Sequence, residues 1–305
     1  MRTTSIYRLT PPEKVALEKY ITDGLAQGSL RRSEAPDACS FFFIDKKDGK
    51  LRPVQDYRPL NDITRKNAAP IPLIPELVDK LLGARFFTKL DVRWGYNNIR
   101  IREGDEWKAA FKTPLGLFEP TVMTFGLCNA PATFQTFMDT KFADLIATGH
   151  VVIYLDDILI FATTLDKLVF YTHQVLKRLQ ELDLFLRPAK CSFNQTSVEY
   201  LGLIISEGEL RMDPVKLQAV KDWPRPKSVK DIQKFLGFCN FYRCFIHAYS
   251  TLACPLFDLT KKTTTWTWTP ACEATFTGLQ RTLTTSPVLI LPDYDKAFYA
   301  YHRCQ

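Results

Sequence analysis

Two adjacent aspartates interrupt an otherwise apolar run, Val151-Val152-Ile153-Tyr154-Leu155-Asp156-Asp157-Ile158-Leu159-Ile160-Phe161. β-Branched and large apolar residues on both sides of a short polar break predict two buried strands joined by a tight hairpin turn. Carboxylates are not placed in a core for stability, because two like charges ~4 Å apart repel by about 4 kcal/mol even at an effective dielectric of ~20. Either one of them stays protonated or a cation sits between them. Mg2+ takes carboxylate and phosphate oxygens together, so the run suits metal-assisted phosphoryl transfer. Standing alone, the pair reads more readily as an exposed turn between strands.

At 305 residues, 46% apolar and 13% aromatic, the chain can bury a large core in two or more subdomains. An excess of 40 Lys and Arg over 33 Asp and Glu gives a net charge of +7, which suits a polyanionic partner but is shared by many soluble proteins. The eight cysteines include no CxxC pair and read as the reduced thiols of an intracellular protein. Cys239, Cys244, His247 and Cys254 resemble a zinc set only superficially. Their spacing fits no common knuckle, and they alternate with Phe241, Phe245 and Ile246 of a helical core. Met1-Arg2-Thr3-Thr4-Ser5 lacks the apolar stretch of a signal peptide, and no segment approaches membrane-spanning length, so no membrane partner is expected. Neither a GxxxxGK[ST] loop nor a strand-linked GxGxxG occurs. Nucleotide phosphates would therefore have to be held by metals and cationic side chains.

Thr10-Pro11-Pro12-Glu13 predicts a capped helix that Gly28 stops. Apolar runs at 41–44 and 51–54 flank Asp48-Gly49, a hairpin signal that would project Lys46, Lys47 and Lys50 on a β-ribbon. A proline-rich linker (Pro70, Pro72, Pro75) leads to a short helix over 76–82 and a strand over 86–92. After Asn129-Ala130-Pro131, one helix carries Phe134, Phe137, Met138, Phe142, Leu145 and Ile146 at amphipathic spacing. The aspartate hairpin follows, then a helix with Val169, Leu176, Leu179 and Leu182, and a strand Tyr200-Leu201-Gly202-Leu203-Ile204-Ile205. From Pro214 the chain turns helical and more basic, and the Thr- and Trp-rich stretch from Lys261 reads as a new module. This is an α+β pattern with antiparallel pairing, not a doubly wound sheet. Along Phe87-Lys89-Asp91 side chains alternate, which puts Asp91 at a strand end. Alone it reads as a strand-end cap or a surface acid. Meeting Asp156 and Asp157, it would complete a two-metal site.

Several ordered motifs resemble those of a reverse transcriptase. They are Leu90-Asp91-Val92-Arg93-Trp94-Gly95-Tyr96, Phe125-Gly126-Leu127-Cys128-Asn129-Ala130-Pro131-Ala132-Thr133-Phe134-Gln135 and Tyr154-Leu155-Asp156-Asp157. Leu51-Arg52-Pro53-Val54-Gln55-Asp56-Tyr57-Arg58 and Val198-Glu199-Tyr200-Leu201-Gly202 match too, and the wording is similar to the polymerases of gypsy-type LTR retrotransposons. The resemblance runs from about Tyr7 to about Asp295.

It implies a right-handed polymerase: fingers in 1–66 and 99–129, a palm with an antiparallel sheet backed by helices in 67–98 and 130–210, a thumb in 211–262, and a truncated connection in 263–305. Asp91, Asp156 and Asp157 would be catalytic and would bind two Mg2+ or Mn2+ ions, with the Val92 carbonyl as a further ligand and Asp157 the more peripheral acid. Lys46 and Arg52 match fingers cations that grip the incoming triphosphate, as a closing hairpin can do. Read from the residues alone, the lysines of that turn are a solvated surface. Tyr96 matches the ring that lies under the sugar and excludes a 2′-OH, which makes the substrate a dNTP; core packing is its plainer role. Phe125 and Gly126 match the palm segment near the base, with Phe where retroviral enzymes carry Gln. Tyr200, Leu201 and Gly202 match the primer grip, or equally a packed strand. Lys227, Lys230, Lys234 and Arg243, beside a helix capped by Ser228, would touch phosphates of the duplex.

Two departures stand out. The first metal-binding acid of an RNase H domain is missing after Pro292-Asp293, so RNA degradation is not expected, and Asp45 stands where Lys is common. The implied activity is RNA-directed, and also DNA-directed, addition of dNTPs to a primer 3′-OH. Its partners would be an RNA template, a DNA primer or an RNA/DNA hybrid, in cytoplasmic particles or the nucleus. The alternative is a catalytically inactive nucleic-acid-binding remnant.

Overall fold

The capping box offered by the sequence is made. Thr10 N–H and Oγ1 both donate to Glu13 Oε2, at 2.7 and 2.6 Å, and proline fills the first turn where its missing N–H costs nothing. Helix α1 then spans Pro11–Ala26, and Gly28 leaves it at φ 68°. A computed structural model describes residues 6–45, 49, 51–81, 83–285 and the backbone of 289–290.

In chain order there follow β1 (Leu30–Arg32), β2 (Cys39–Asp45), β3 (Leu51–Gln55), α2 (Arg58–Ile63), α3 (Ile74–Asp79), β4 (Phe86–Asp91), β5 (Phe111–Thr113) and β6 (Gly116–Pro120). Next come α4 (Ala130–Lys141), α5 (Ala143–Ala147), β7 (Val151–Tyr154), β8 (Asp157–Ala162), α6 (Leu165–Glu181) and β9 (Ser192–Gln195). The chain continues through β10 (Ser197–Tyr200), β11 (Leu203–Ser206), β12 (Glu209–Met212), α7 (Pro214–Lys221), α8 (Val229–Phe241), α9 (Tyr249–Asp258), α10 (Pro270–Thr285) and β13 (Leu289–Ile290). Among the described residues no helix is long and apolar enough to cross a membrane.

The described residues fall into two compact units. Those of Met1–Leu73, Lys89–Ile160 and Val169–Cys191 form the first, and those of Ile74–Thr88, Phe161–Leu168 and Ser192–Gln305 the second. In the first, β1-β6-β5-β2-β3 make a five-stranded sheet in which β2 and β5 run parallel and the other pairs antiparallel. The Asp45↔Leu51 pair closes the β2–β3 hairpin over residues 46–50. Leu17 and Ile21 of α1 pack with Leu30, Phe41, Phe111 and Phe118 in the core beneath this sheet. The same unit holds β7 and β8 as far as Ile160, paired antiparallel from Val151↔Ile160 to Tyr154↔Asp157, with Phe134, Met138 and Phe142 buried nearby in sequence on the helical side. In the second unit β10-β11-β12-β13 form an antiparallel sheet, α10 packs on α7 and α9, and Phe235 meets Phe276 at 4.7 Å between ring centroids.

Four expectations are corrected. The single helix after Asn129 is two, because Phe142 at φ −115° and ψ 15° breaks the ladder while its ring stays in the core. The strand read over 200–205 is a hairpin: Tyr200 pairs with Leu203 across a two-residue turn, Leu201 at φ 51° and Gly202 at φ 79°. The short helix spans Ile74–Asp79 rather than 76–82. The stretch from Lys261 is no separate module among the described residues, since α10 packs within the second unit. The segment after Pro292 lies outside the described residues.

Candidate active site

The aspartate hairpin turns within two residues, Leu155 and Asp156, so Asp157 is the first residue of β8. Leu155 takes φ 54°, a conformation that costs a non-glycine residue roughly 1–2 kcal/mol. What holds it there is Gln135 of α4, wholly buried, whose Oε1 accepts the Leu155 N–H at 2.7 Å. Its Nε2 donates to the Ile153 carbonyl at 3.2 Å and to Asp139 Oδ1 at 2.8 Å. A buried amide with both ends satisfied is a rigid clamp on the turn that carries Asp156.

Strand β4 lies beside β8 in sheet order, and the Val92 N–H donates to the Asp156 carbonyl at 2.8 Å. On its other side Val92 bridges Leu186, the Arg187 N–H donates to the Asp91 carbonyl at 2.9 Å, and the Arg93 N–H donates to the Phe185 carbonyl at 2.6 Å. The end of β4 is thus pinned from both sides by backbone, which brings Asp91 to the turn that carries Asp156. Gly95 packs here as well: a Cβ on it would stand 3.4 Å from Asp156 Cβ and from the Phe134 ring.

The acids differ in their partners. Asp91, 7% exposed, faces Arg187 Nη1 and Lys190 Nζ, each at 3.5 Å, yet its buried Oδ1 makes no hydrogen bond. Asp157 Oδ1 lies 3.7 Å from Lys89 Nζ. Burial pushes the Asp157 carboxyl above its ordinary range; Lys89 opposes this, while the charges on Asp156 and Asp91 add to it and Lys190 opposes it further. Among the described residues no three Asp, Glu, His or Cys side chains stand ready-made around one point, and two of these acids are already turned to cations of the chain itself. The donor set nonetheless fits a divalent ion. All three side chains offer hard oxygens, and Asp91 keeps a buried oxygen without a hydrogen bond. Val92 is wholly buried.

An aromatic wall adjoins this cluster. The Tyr96 ring meets Phe125 at 5.1 Å and Phe134 at 5.8 Å, both edge-on, and the Arg52 guanidinium lies 5.9 Å from the Phe125 ring. Burial first, then the charge on Asp156, raises the Tyr96 hydroxyl pKa. Gly126, at φ 97°, has room for no side chain without crowding: a Cβ would come 3.2 Å from Tyr57 Cδ2. Arg52, Tyr96, Phe125 and Gly126, separated by up to 74 positions, are therefore brought into one neighbourhood, whereas Lys46 lies outside the described residues.

Tyr200, Leu201, Gly202, Lys227, Lys230, Lys234 and Arg243 belong to the second unit. Tyr200 is wholly buried, and the Gly202 carbonyl accepts the Tyr242 hydroxyl at 3.1 Å. The four cations are exposed, and Lys234 already faces Asp231 at 3.7 Å. Sequence reasoning passed over Gln135, Lys89, Arg187 and Lys190. A glutamine among the buried residues of α4 and a lysine alternating with Asp91 were visible signals, but Arg187 and Lys190 sit about a hundred residues from the acid they face.

Residues 44–205 match the family model described as reverse transcriptase (RNA-dependent DNA polymerase). The chain is 40% identical over 290 residues to the Transposon Tf2-3 polyprotein of Schizosaccharomyces pombe, a match covering 95% of this chain and 22% of that polyprotein. The Tf2-7 polyprotein of the same organism is 39% identical over the same shares. The chain thus spans about a fifth of the curated relatives it matches. Among solved structures, a foamy viral protease-reverse transcriptase in complex with dsDNA superposes with a TM-score of 0.85 at 22% identity, covering 97% of this chain and 62% of that one. The same kind of enzyme in complex with an RNA/DNA hybrid gives 0.82 at 22% identity, over 93% and 38%. At that identity the likeness speaks to the fold, an α+β arrangement of sheets backed by helices.

Proposed function

The chain belongs to the reverse transcriptase family, and on that premise we propose that it adds dNTPs to a primer 3′-OH on RNA and DNA templates, as the polymerase portion of a gypsy-type LTR retrotransposon polyprotein. The observation that carries this is the pinning of β4 to the Asp156 turn, which sets Asp91 beside the aspartate pair with a buried oxygen free of hydrogen bonds. Asp91, Asp156 and, more peripherally, Asp157 would hold two Mg2+ or Mn2+ ions, with the Val92 carbonyl as a further ligand. Bound divalent ions supply Lewis acidity at phosphoryl oxygens and lower the pKa of an attacking hydroxyl.

The chain's own residues do the rest. Gln135 keeps the Asp156 turn in its strained form, so the carboxylate meets the substrate without reorganising. The Tyr96 ring, backed by Phe125 and Phe134, limits space at the sugar and rejects a 2′-OH. Arg52 and Lys46 bring positive charge to the triphosphate. The hairpin tip at Leu201 and Gly202 steadies the primer strand, while Lys227, Lys230, Lys234 and Arg243 take phosphates of the duplex in a sequence-independent way. The fingers, palm and thumb divisions given above follow from the same reading. The foamy viral enzymes bound to an RNA/DNA hybrid and to dsDNA support these partners by likeness of fold.

Primer extension on poly(rA)/oligo(dT) with Mg2+ or Mn2+, beside an Asp156→Asn control, tests the proposal. Extension by the parent protein and none by the variant is expected. Duplex binding without extension by the parent protein would favour an inactive nucleic-acid-binding remnant instead.

A further inference from the structure

We infer that Lys89 is a positioning residue that weakens the hold of Asp157 on the divalent ions, which is what makes it the peripheral acid, and leaves the tighter ligation to Asp91 and Asp156. The inference rests on the metal-binding reading above and deepens it. The three carboxylates are not equivalent. Among the described residues Asp156 is paired with no cation, so its carboxylate is available to a metal as it stands. Asp91 faces two cations, but the side chains of Arg187 and Lys190 are 35% and 60% exposed, so both can turn toward water, and its Oδ1 makes no hydrogen bond. Asp157 faces Lys89, which is rooted in β4, the strand next to β8, and is only 22% exposed along its side chain.

Residues two apart on a strand share a face, so Lys89 and Asp91 rise from the same side of β4. The ammonium therefore stands on the face of β4 that carries Asp91, with little of its side chain open to water. A partly buried pair of this kind is screened less than a surface one. A metal that recruited Asp157 would work against the charge of this built-in cation, whereas one that recruited Asp156 meets no such ion pair among the described residues.

The test reads metal binding directly, on the full chain without nucleic acid or nucleotide, by titrating Mn2+ and following free ion by electron paramagnetic resonance. Lys89→Met, close to lysine in length and packing, should tighten Mn2+ binding by roughly fivefold, the scale of a modest ion pair. Lys89→Arg should bind as the parent does, because it keeps the charge. Adding Asp157→Asn to Lys89→Met should abolish the gain, since the released ligand is then gone. Unchanged or weaker binding by Lys89→Met would overturn the inference, as would a gain that survives Asp157→Asn. If Lys89→Met melts early in thermal denaturation, Lys89→Gln carries the same comparison. Mn2+ binding that Asp91→Asn leaves untouched would instead count against the metal-site reading itself, and the inference would fall with it.

Discussion

Tyr96→Ala offers a test of substrate choice whose size follows from the site. The ring is half-buried, held edge-on by Phe125 at 5.1 Å and Phe134 at 5.8 Å, and the residue before it rests on Asp156. A ribose 2′-OH meeting that wall would push the sugar by about 1 Å, and a misplacement of that size costs on the order of 100-fold in rate. That corresponds to ~2.7 kcal/mol of barrier. Removing the ring should lower the preference for dTTP over UTP by about two orders of magnitude, mainly by raising kcat/KM for UTP. Tyr96→Phe should keep the preference, because the ring and not the hydroxyl does the blocking. The truncation also has a structural cost. Two edge-on aromatic contacts are worth ~0.5–1.5 kcal/mol each, and the lost apolar contact brings the total to about 2–4 kcal/mol. The variant should therefore be assayed well below its melting temperature, with folding checked by circular dichroism. Single-nucleotide extension of oligo(dT) on poly(rA) gives both rate constants. A folded Tyr96→Ala protein with the parent's preference would refute the assignment.

Two further outcomes follow from particular residues. Binding to a primer-template duplex should weaken linearly in log[salt], and Lys227→Gln or Lys230→Gln should each reduce the slope by about 1, as the loss of one phosphate contact requires. Lys234→Gln should change it less, since Asp231 already lies 3.7 Å from that ammonium; equal effects in fluorescence anisotropy would contradict this. Gly126→Ala should destabilise the chain by about 2–4 kcal/mol in urea titration, from a positive φ combined with overpacking on Tyr57 3.2 Å away. A midpoint equal to the parent's would show that the turn relaxes freely.

What the sequence disclosed and what it concealed have physical causes. The capped α1, the β2–β3 hairpin and the aspartate hairpin were legible because each is written in neighbouring residues: Thr10 with Glu13, Asp48-Gly49, and a polar break in an apolar run. The β10–β11 turn was missed because Leu201, an apolar residue at φ 51°, carries no turn signal, and the run therefore reads as one strand. Phe142 hid the break between α4 and α5 because its burial keeps the apolar periodicity going where the backbone leaves the helix. The acids of the site were legible by residue type and order. Their counter-charges were not, because Arg187 and Lys190 reach Asp91 only through the backbone pairing of residues 185–187 with the end of β4. Nothing local in the sequence announces a contact of that range.

Crystals of the chain with a dideoxy-terminated primer on its template, a matched dNTP and Mn2+ would examine the centre of the account. Anomalous difference maps should place an ion with carboxylate oxygens of both Asp91 and Asp156 at about 2.0–2.2 Å, the contact range of a small divalent cation. An ion bound by one of these acids while the other remains on its arginine and lysine would contradict the account.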